Sequence, residues 1–433
     1  MNALLFEDQK RFEKLAANSI YLSLALVIFS GQGLFLNNSM LAYSPTFNQT
    51  AFLAPSVQFG GVPPSEPTEI NLAKEKKEWE TSVRQKYRNT PVSVVEPGIV
   101  HVRLTKYINS KPIRINIVEV NRTVNPNIEL TPALASTTLA KKATVKNIAK
   151  RNNSVVAVNG TFFKPQTGVP LGALMIDRQL VTSPVYNRVA MGIGKSGFQM
   201  AKLELDAKIV APNKQIPLDN INQPRMSIGH TIAYTRDWGQ YSPPTPKREV
   251  QIAVEDSKII NISNGSIAIP KDGYVISGPK EKLEPFFNAK SVQLDIKTKP
   301  NWDDVDDIIS GGPYLVKEGK VYVDVAEQKL RPIEGKNPRT AIGYTKDNNF
   351  IIVTVDGRES ASVGMNIYDL AKFMKSIGCY NAMNLDGGGS STMCIKGQVV
   401  NNPVQRGGIA ISNALTVSVA KGTIAISYRD EDK

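Results

Sequence analysis

From about residue 96 the chain is written in short β-branched runs, such as IRINIVEV at 113–120 and FIIVTV at 350–355, each broken by a turn signal within a few residues. Runs this short are the length of strands and too short for buried helices, so they confine the chain to a strand-rich fold. Helical patterns are few. One is expected over 139–150, ahead of a strand SVVAV at 154–158 that Asn159-Gly160 closes in a tight turn. A second is expected from Asn366, an N-cap, to Ile377, with Ile367, Leu370, Ala371, Met374 and Ile377 on one face and Gly378 as its stop. The expected class is α+β, a strand-rich mixed-sheet core with flanking helices. Residues 201–300 read as a strand-rich elaboration of the same domain.

The first hundred residues are different. Residues 19–36, SIYLSLALVIFSGQGLFL, carry no charge and follow Lys10, Arg11 and Lys14, the pattern of a signal peptide or membrane anchor. Residues 1–44 are therefore expected to be a cytoplasmic stub with that segment. Residues 45–95 hold Pro45, Pro55, Pro63, Pro64 and Pro67 and then a charged stretch at 71–88 with a thin apolar face, read as a tether and a solvated helix. The catalytic domain is expected at 96–420 and a tail at 421–433. The protein is expected to be exported, either membrane-anchored or periplasmic to extracellular.

The chain of 433 residues has 52 Lys plus Arg against 39 Asp plus Glu, a net charge of +13 that attracts anions. Nucleic acid, anionic lipid and phosphorylated glycan all fit that sign. No zinc-finger spacing, RNP-type motif or Arg-rich tract is present, so nucleic acid is set aside. Cys379 and Cys394 are too few for a disulfide framework or a four-thiolate metal site; they read as buried thiols, or as one disulfide if strands bring them together. His101 and His230 lie far apart with no metal motif around either, which disfavours a zinc hydrolase. The run Asp303, Asp304, Asp306 and Asp307 lacks the glycine and terminal glutamate of an EF-hand and reads as a solvated loop.

Polar-plus-glycine clusters recur at strand ends: Asn159-Gly160, Ser310-Gly311-Gly312, Arg339-Thr340, Asp356-Gly357-Arg358, and Asn384-Leu385-Asp386-Gly387-Gly388-Gly389-Ser390. Each alone is a turn signal. Three glycines after an apolar strand and an aspartate give a backbone that a ligand can approach closely. A dinucleotide loop would open a helix, whereas STMCIKGQVVN follows here, a hairpin turning at Lys396-Gly397.

In order and wording these clusters, above all NLDGGGSST with VDGR and PRTAIG upstream, resemble the phosphodiester glycosidase family over roughly residues 96–420. The resemblance implies that family's fold and hydrolysis between a sugar's anomeric carbon and a phosphate, with an N-acetylglucosamine 1-phosphodiester as the best-known substrate type. It departs at Thr161, where relatives often have glycine, and in the long run from Arg406 to Ser412-Asn413-Ala414. A phosphate ester is already a good leaving group, so such a site needs a carboxylate by the anomeric carbon and a phosphate clamp more than a strong acid. On that basis Asp386 and Asp356 are the candidate carboxylates and Arg339 the candidate phosphate clamp, with Arg358 second. Asn159, Gly160, Ser310, Gly311, Gly312, Thr340, Asn384, Gly387, Gly388, Gly389 and Ser390 are the candidate substrate-binding residues. No cofactor is implied and no divalent cation is supported. The expected partners are a phosphorylated glycan or sugar phosphodiester, and the membrane through the N-terminal segment.

Overall fold

A computed structural model describes residues 69–420. The expected export segment and the C-terminal tail lie outside them. Among the described residues no helix is long and apolar enough to cross a membrane.

The centre is an eight-stranded sheet in the order Val92–Glu96, Ile99–Ile108, Lys111–Val120, Phe350–Val355, Arg339–Tyr344, Asn381–Asn384, Tyr314–Lys317 and Lys320–Val321. Phe350–Val355 reads as one continuous apolar run because both faces of this sheet are covered. Ile351, Val353 and Val355 enter one core; Phe350 and Ile352 enter another. The first core is closed by the helix Ile367–Ser376, whose Ile367, Leu370, Ala371 and Met374 are fully buried. Asn366 caps that helix by accepting from the Asp369 amide at 2.7 Å, and Gly378 ends it at φ +89.

The second core is shared with two five-stranded sheets. One runs Gln398–Val399, Met393–Ile395, Val156–Asn159, Asn413–Val419, Ile128–Leu134; the other runs Gln179–Thr182, Leu174–Ile176, Val305–Ser310, Val189–Gly194, Gly197–Lys202. Val156, Val158, Leu415, Leu174, Met191 and Ile309 meet Ile352 and Met383 there. Pairing is antiparallel in all three large sheets. The mixed character is confined to Asn220–Ile221, which pairs parallel with Ile232–Tyr234.

Four expectations change. The helix Glu69–Lys86 is no solvated spacer: Trp79, Val83 and the following Tyr87 are buried in the first core. Spaced four apart, these residues form a stripe one side chain wide, which suffices against a flat sheet. Lys86 Nζ and the Tyr87 hydroxyl both donate to Glu119 Oε1, at 2.6 and 2.5 Å, and fix the helix to the sheet. Second, the helix expected over 139–150 is shorter, Val145–Arg151, starting where Thr144 accepts from the Asn147 amide. Third, Asp306 and Asp307 belong to the strand Val305–Ser310; Asp307 is buried, accepts from the Asp177 amide, and is pushed up to about 7, chiefly by burial. Fourth, Cys379 and Cys394 are buried free thiols in separate cores, which rules out the disulfide.

Residues 201–300 form two smaller sheets around their own core of Ile209, Leu218, Ile252, Ile276 and Phe286. The Lys396-Gly397 turn is as expected: both residues have positive φ, and Ile395 pairs with Gln398 across a two-residue hairpin.

Candidate active site

Asn159 ends the strand Val156–Asn159 and is buried, but it does not turn a hairpin. Its Nδ2 donates to the Asp386 carbonyl at 2.6 Å, while Oδ1 accepts from the Thr340 hydroxyl at 2.7 Å and the Thr392 amide at 3.2 Å. One amide therefore ties together three distant segments. Gly160 continues the work with its backbone, donating to the Asn413 carbonyl and accepting from the Asp386 amide at 3.2 Å. A Cβ there would lie 1.9 Å from Asn413 Oδ1, so no larger residue fits.

Asn384 does the same for the Ser310-Gly311-Gly312 turn. Its Nδ2 donates to the Gly312 carbonyl at 2.9 Å, and its own carbonyl accepts from the Gly312 amide at 2.7 Å. Gly311 passes so close that a Cβ would sit 2.3 Å from the Asn384 carbonyl oxygen. Ser310 is buried beside the Thr161 hydroxyl, 3.3 Å away. Asn159, Thr340, Ser310 and Asn384 thus shape the floor of the site, with their polar atoms bonded to the protein except Asn384 Oδ1, which is buried without a partner.

Asp386 and the glycines form the exposed part. The loop is pinned at both ends, by Leu385 donating to the Thr340 carbonyl and Gly388 to the Pro338 carbonyl, each at 2.9 Å. Asp386 and Gly387 to Gly389 are half-buried, and no side chain from the glycines covers them. The Asp386 carboxyl accepts from the Gly387 amide at 2.9 Å. Burial raises it to about 6, and the Ser390 hydroxyl, the Gly387 N–H and the Arg188 charge restrain that rise. Arg358 stands over Gly388: its Nη2 is 3.2 Å from where a Cβ would be. Its Nε and Nη2 both donate to Asn337 Oδ1, at 3.1 and 2.9 Å.

Two residues expected in the site are used elsewhere. Arg339 is buried, with Nε donating to the Met365 carbonyl at 2.8 Å and Nη2 to the carbonyls of Ile333, at 2.7 Å, and Gly335. Burial, and then the neighbouring Arg358 charge, lower it to about 10. With Nε and Nη2 spent on main chain, the residue pins a loop, and its side-on pair of donors is not open to a phosphate. Asp356 is buried and lines a cavity of about 670 Å³ together with Arg103, Arg114, Asn116, Asn401 and Asn402. Its Oδ1 accepts from Asn401 Nδ2 at 3.1 Å and the Asn402 amide at 2.9 Å.

The sequence reading missed Arg188. It precedes the strand Val189–Gly194, with its guanidinium carbon 4.6 Å from the Phe162 ring centroid and 5.2 Å from that of Tyr186. Burial lowers its pKa, and Tyr186 and Asp386 act against that. Phe162 follows the Asn159-Gly160-Thr161 bend, so the bend that holds Asp386 also carries the platform for Arg188. Among the described residues no group of three His, Cys, Asp or Glu side chains is placed to hold a metal ion.

Residues 248–418 match the phosphodiester glycosidase family. Over 121 residues the chain is 42% identical to an SPbeta prophage-derived uncharacterized protein of Bacillus subtilis (strain 168), covering 28% of this chain and 17% of that protein. Over 168 residues it is 25% identical to the N-acetylglucosamine-1-phosphodiester alpha-N-acetylglucosaminidase of Mus musculus, covering 35% of this chain and 29% of that enzyme. The chain thus spans less than a third of the length of either relative. The crystal structure of a hypothetical protein from Synechocystis shares the fold, with a TM-score of 0.71 at 22% identity over 77% of this chain and 64% of that one. The matched residues 248–418 carry Arg339, Asp356 and the glycine loop with Asp386, so the likeness to the phosphodiester glycosidase family falls on the segment that holds these residues.

Proposed function

We propose that the protein hydrolyses a sugar-1-phosphodiester, cutting the bond between the anomeric carbon and its oxygen. The substrate class is an N-acetylglucosamine-type or related glycan phosphodiester, met in cell-envelope polysaccharide metabolism by an enzyme exported and anchored through residues 19–36. The observation that carries the reading is the half-buried Asp386 on a loop of three glycines, its carboxyl raised by burial and its amide held by the Gly160 carbonyl. A carboxyl raised to about 6 is mostly ionised at neutral pH and still basic enough to take a proton.

As the glycosidic bond lengthens, its electron pair leaves with the phosphate oxygen and positive charge gathers on the sugar ring. Asp386 stabilises that charge. Water then adds its oxygen to the anomeric carbon, and its proton passes to Asp386 or to solvent. The phosphate monoester departs without needing a strong acid.

The test is incubation of the full chain with an α-N-acetylglucosaminyl 1-phosphodiester in isotopically labelled water. Label in the hydroxyl of the free sugar is the expected result. Label in the phosphate would replace this reading with phosphodiesterase chemistry at phosphorus, and no turnover would leave a glycan-binding protein.

A further inference from the structure

The geometry points to Arg188, held against the Phe162 ring of the bend that binds the Asp386 amide, as the residue that binds the phosphate group of the substrate, in place of Arg339. This rests on the hydrolase reading for the identity of the substrate, but the anion site stands on geometry of its own. A phosphodiester presents two non-bridging oxygens sharing one negative charge, which a planar guanidinium can meet with two parallel N–H donors. Placing that anion near the Asp386 carboxylate is unfavourable unless a cation lies close by.

Three arginines compete for the role, and their donors separate them. Arg339 spends Nε and Nη2 on three main-chain carbonyls. Arg358 spends Nε and Nη2 on Asn337. Arg188 gives only Nη1, to the Leu171 carbonyl at 3.2 Å; its Nε and Nη2, the side-on pair that the other two arginines have spent, have no protein partner among the described residues, and Nε is buried. Contact with the Phe162 and Tyr186 rings, at 4.6 and 5.2 Å, orients the guanidinium plane before any ligand arrives. A preset fork loses less entropy on binding than a free one. Leu171 also donates its amide to the Phe162 carbonyl, so platform and arginine are held by the same loop pair.

The test uses the full chain and inorganic phosphate as the probe, read by calorimetric titration. Arg188→Gln is expected to weaken phosphate binding by about ten- to a hundredfold, the worth of a charge-assisted hydrogen bond. Lys258→Gln, a charge-matched change on the exposed strand Lys258–Ser263, is expected to leave binding unchanged. With substrate, Arg188→Gln should raise KM for the phosphodiester by more than it raises KM for a neutral aryl glycoside of the same sugar. Wild-type affinity for phosphate in an Arg188→Gln protein that melts like the wild type overturns the proposal. Should that variant fail to fold, modification of wild-type Arg188 by an arginine-directed dicarbonyl, read by mass spectrometry, decides instead. Protection by phosphate supports the site, and no protection removes it. Phosphate binding through Arg188 without turnover of any sugar phosphodiester would sink the hydrolase reading and leave the anion site standing.

Discussion

Asp386 and Asp356 each follow a strand of the central sheet, and the sequence offers them as equals. Their surroundings differ. Asp356 has Oδ1 filled by Asn401 and the Asn402 amide, and Asn401 in turn donates to the Ser391 carbonyl and accepts from the Met393 amide. Asp386 accepts from the Gly387 amide and the Ser390 hydroxyl of its own loop and is half-buried, as are the three glycines that follow it. A carboxylate woven into a network serves the fold; one left with an unfilled face can serve a substrate. What distinguishes them is exposure and the segments that hold them, Asp356 buried and bound by residues 401–402 and Asp386 half-buried and bound by its own loop, since burial raises the pKa of both.

The sharpest test of that contrast is rate. Asp386→Asn should lower sugar release by about 10²- to 10⁴-fold, the usual contribution of a positioned acid or base. Asp356→Asn, which keeps an acceptor for Asn401 and Asn402, should change kcat by less than about tenfold. Equal losses in steady-state assays would break the comparison.

Stability should reverse the order. Asp356→Ala leaves the Asn402 N–H and the Asn401 amide without their acceptor and should cost about 1–3 kcal/mol in denaturant unfolding. Asp386→Asn should do the opposite. Its carboxyl is raised in the folded protein, so the folded state holds that proton more tightly, and ionisation makes the wild type less stable as pH rises through about 6. The variant should therefore melt above the wild type near pH 8 and match it near pH 4, by calorimetry at roughly those values.

Smaller effects sharpen the picture. The acid limb of the pH–rate profile should lie near 6, with activity lost as Asp386 takes up its proton, and should move to higher pH in Arg188→Gln because the nearby cation favours the ionised form. It should not move in Asp356→Asn. Smallest of all, Asn401→Ala should cost about 1 kcal/mol by the same unfolding assay, with sugar release per folded molecule close to wild type.

The helix Ile367–Ser376 and the strand Phe350–Val355 were legible because cap, period and length all agree locally. The glycine run likewise drew attention to Asp386 before any coordinates. The helix Glu69–Lys86 was misread because its buried stripe of Trp79, Val83 and Tyr87 is one residue wide, and its value depends on a sheet whose strands come later. Arg188 was invisible for a related reason: a lone arginine before a strand gains meaning only from Phe162 and Asp386, which the fold brings to it. The amides of Asn159 and Asn384 were noticed for their chemistry but could not be assigned a direction, and they point inward.

Asn159 reaches Thr340, Asp386 and Thr392 across separations of 181, 227 and 233 residues. Folding must therefore close loops of that length before the site has any shape, which makes its assembly a late and slow event. The family match begins at residue 248, so a fragment cut to that segment would lack Asn159, Arg188 and the strand Lys111–Val120 that lies inside the central sheet. Such a fragment would keep the Thr340 and Pro338 anchors of the glycine loop but lose the bonds from Asn159 and Gly160 to Asp386. The recognisable segment carries the glycine loop, and the residues before it supply the bend and the arginine set against it.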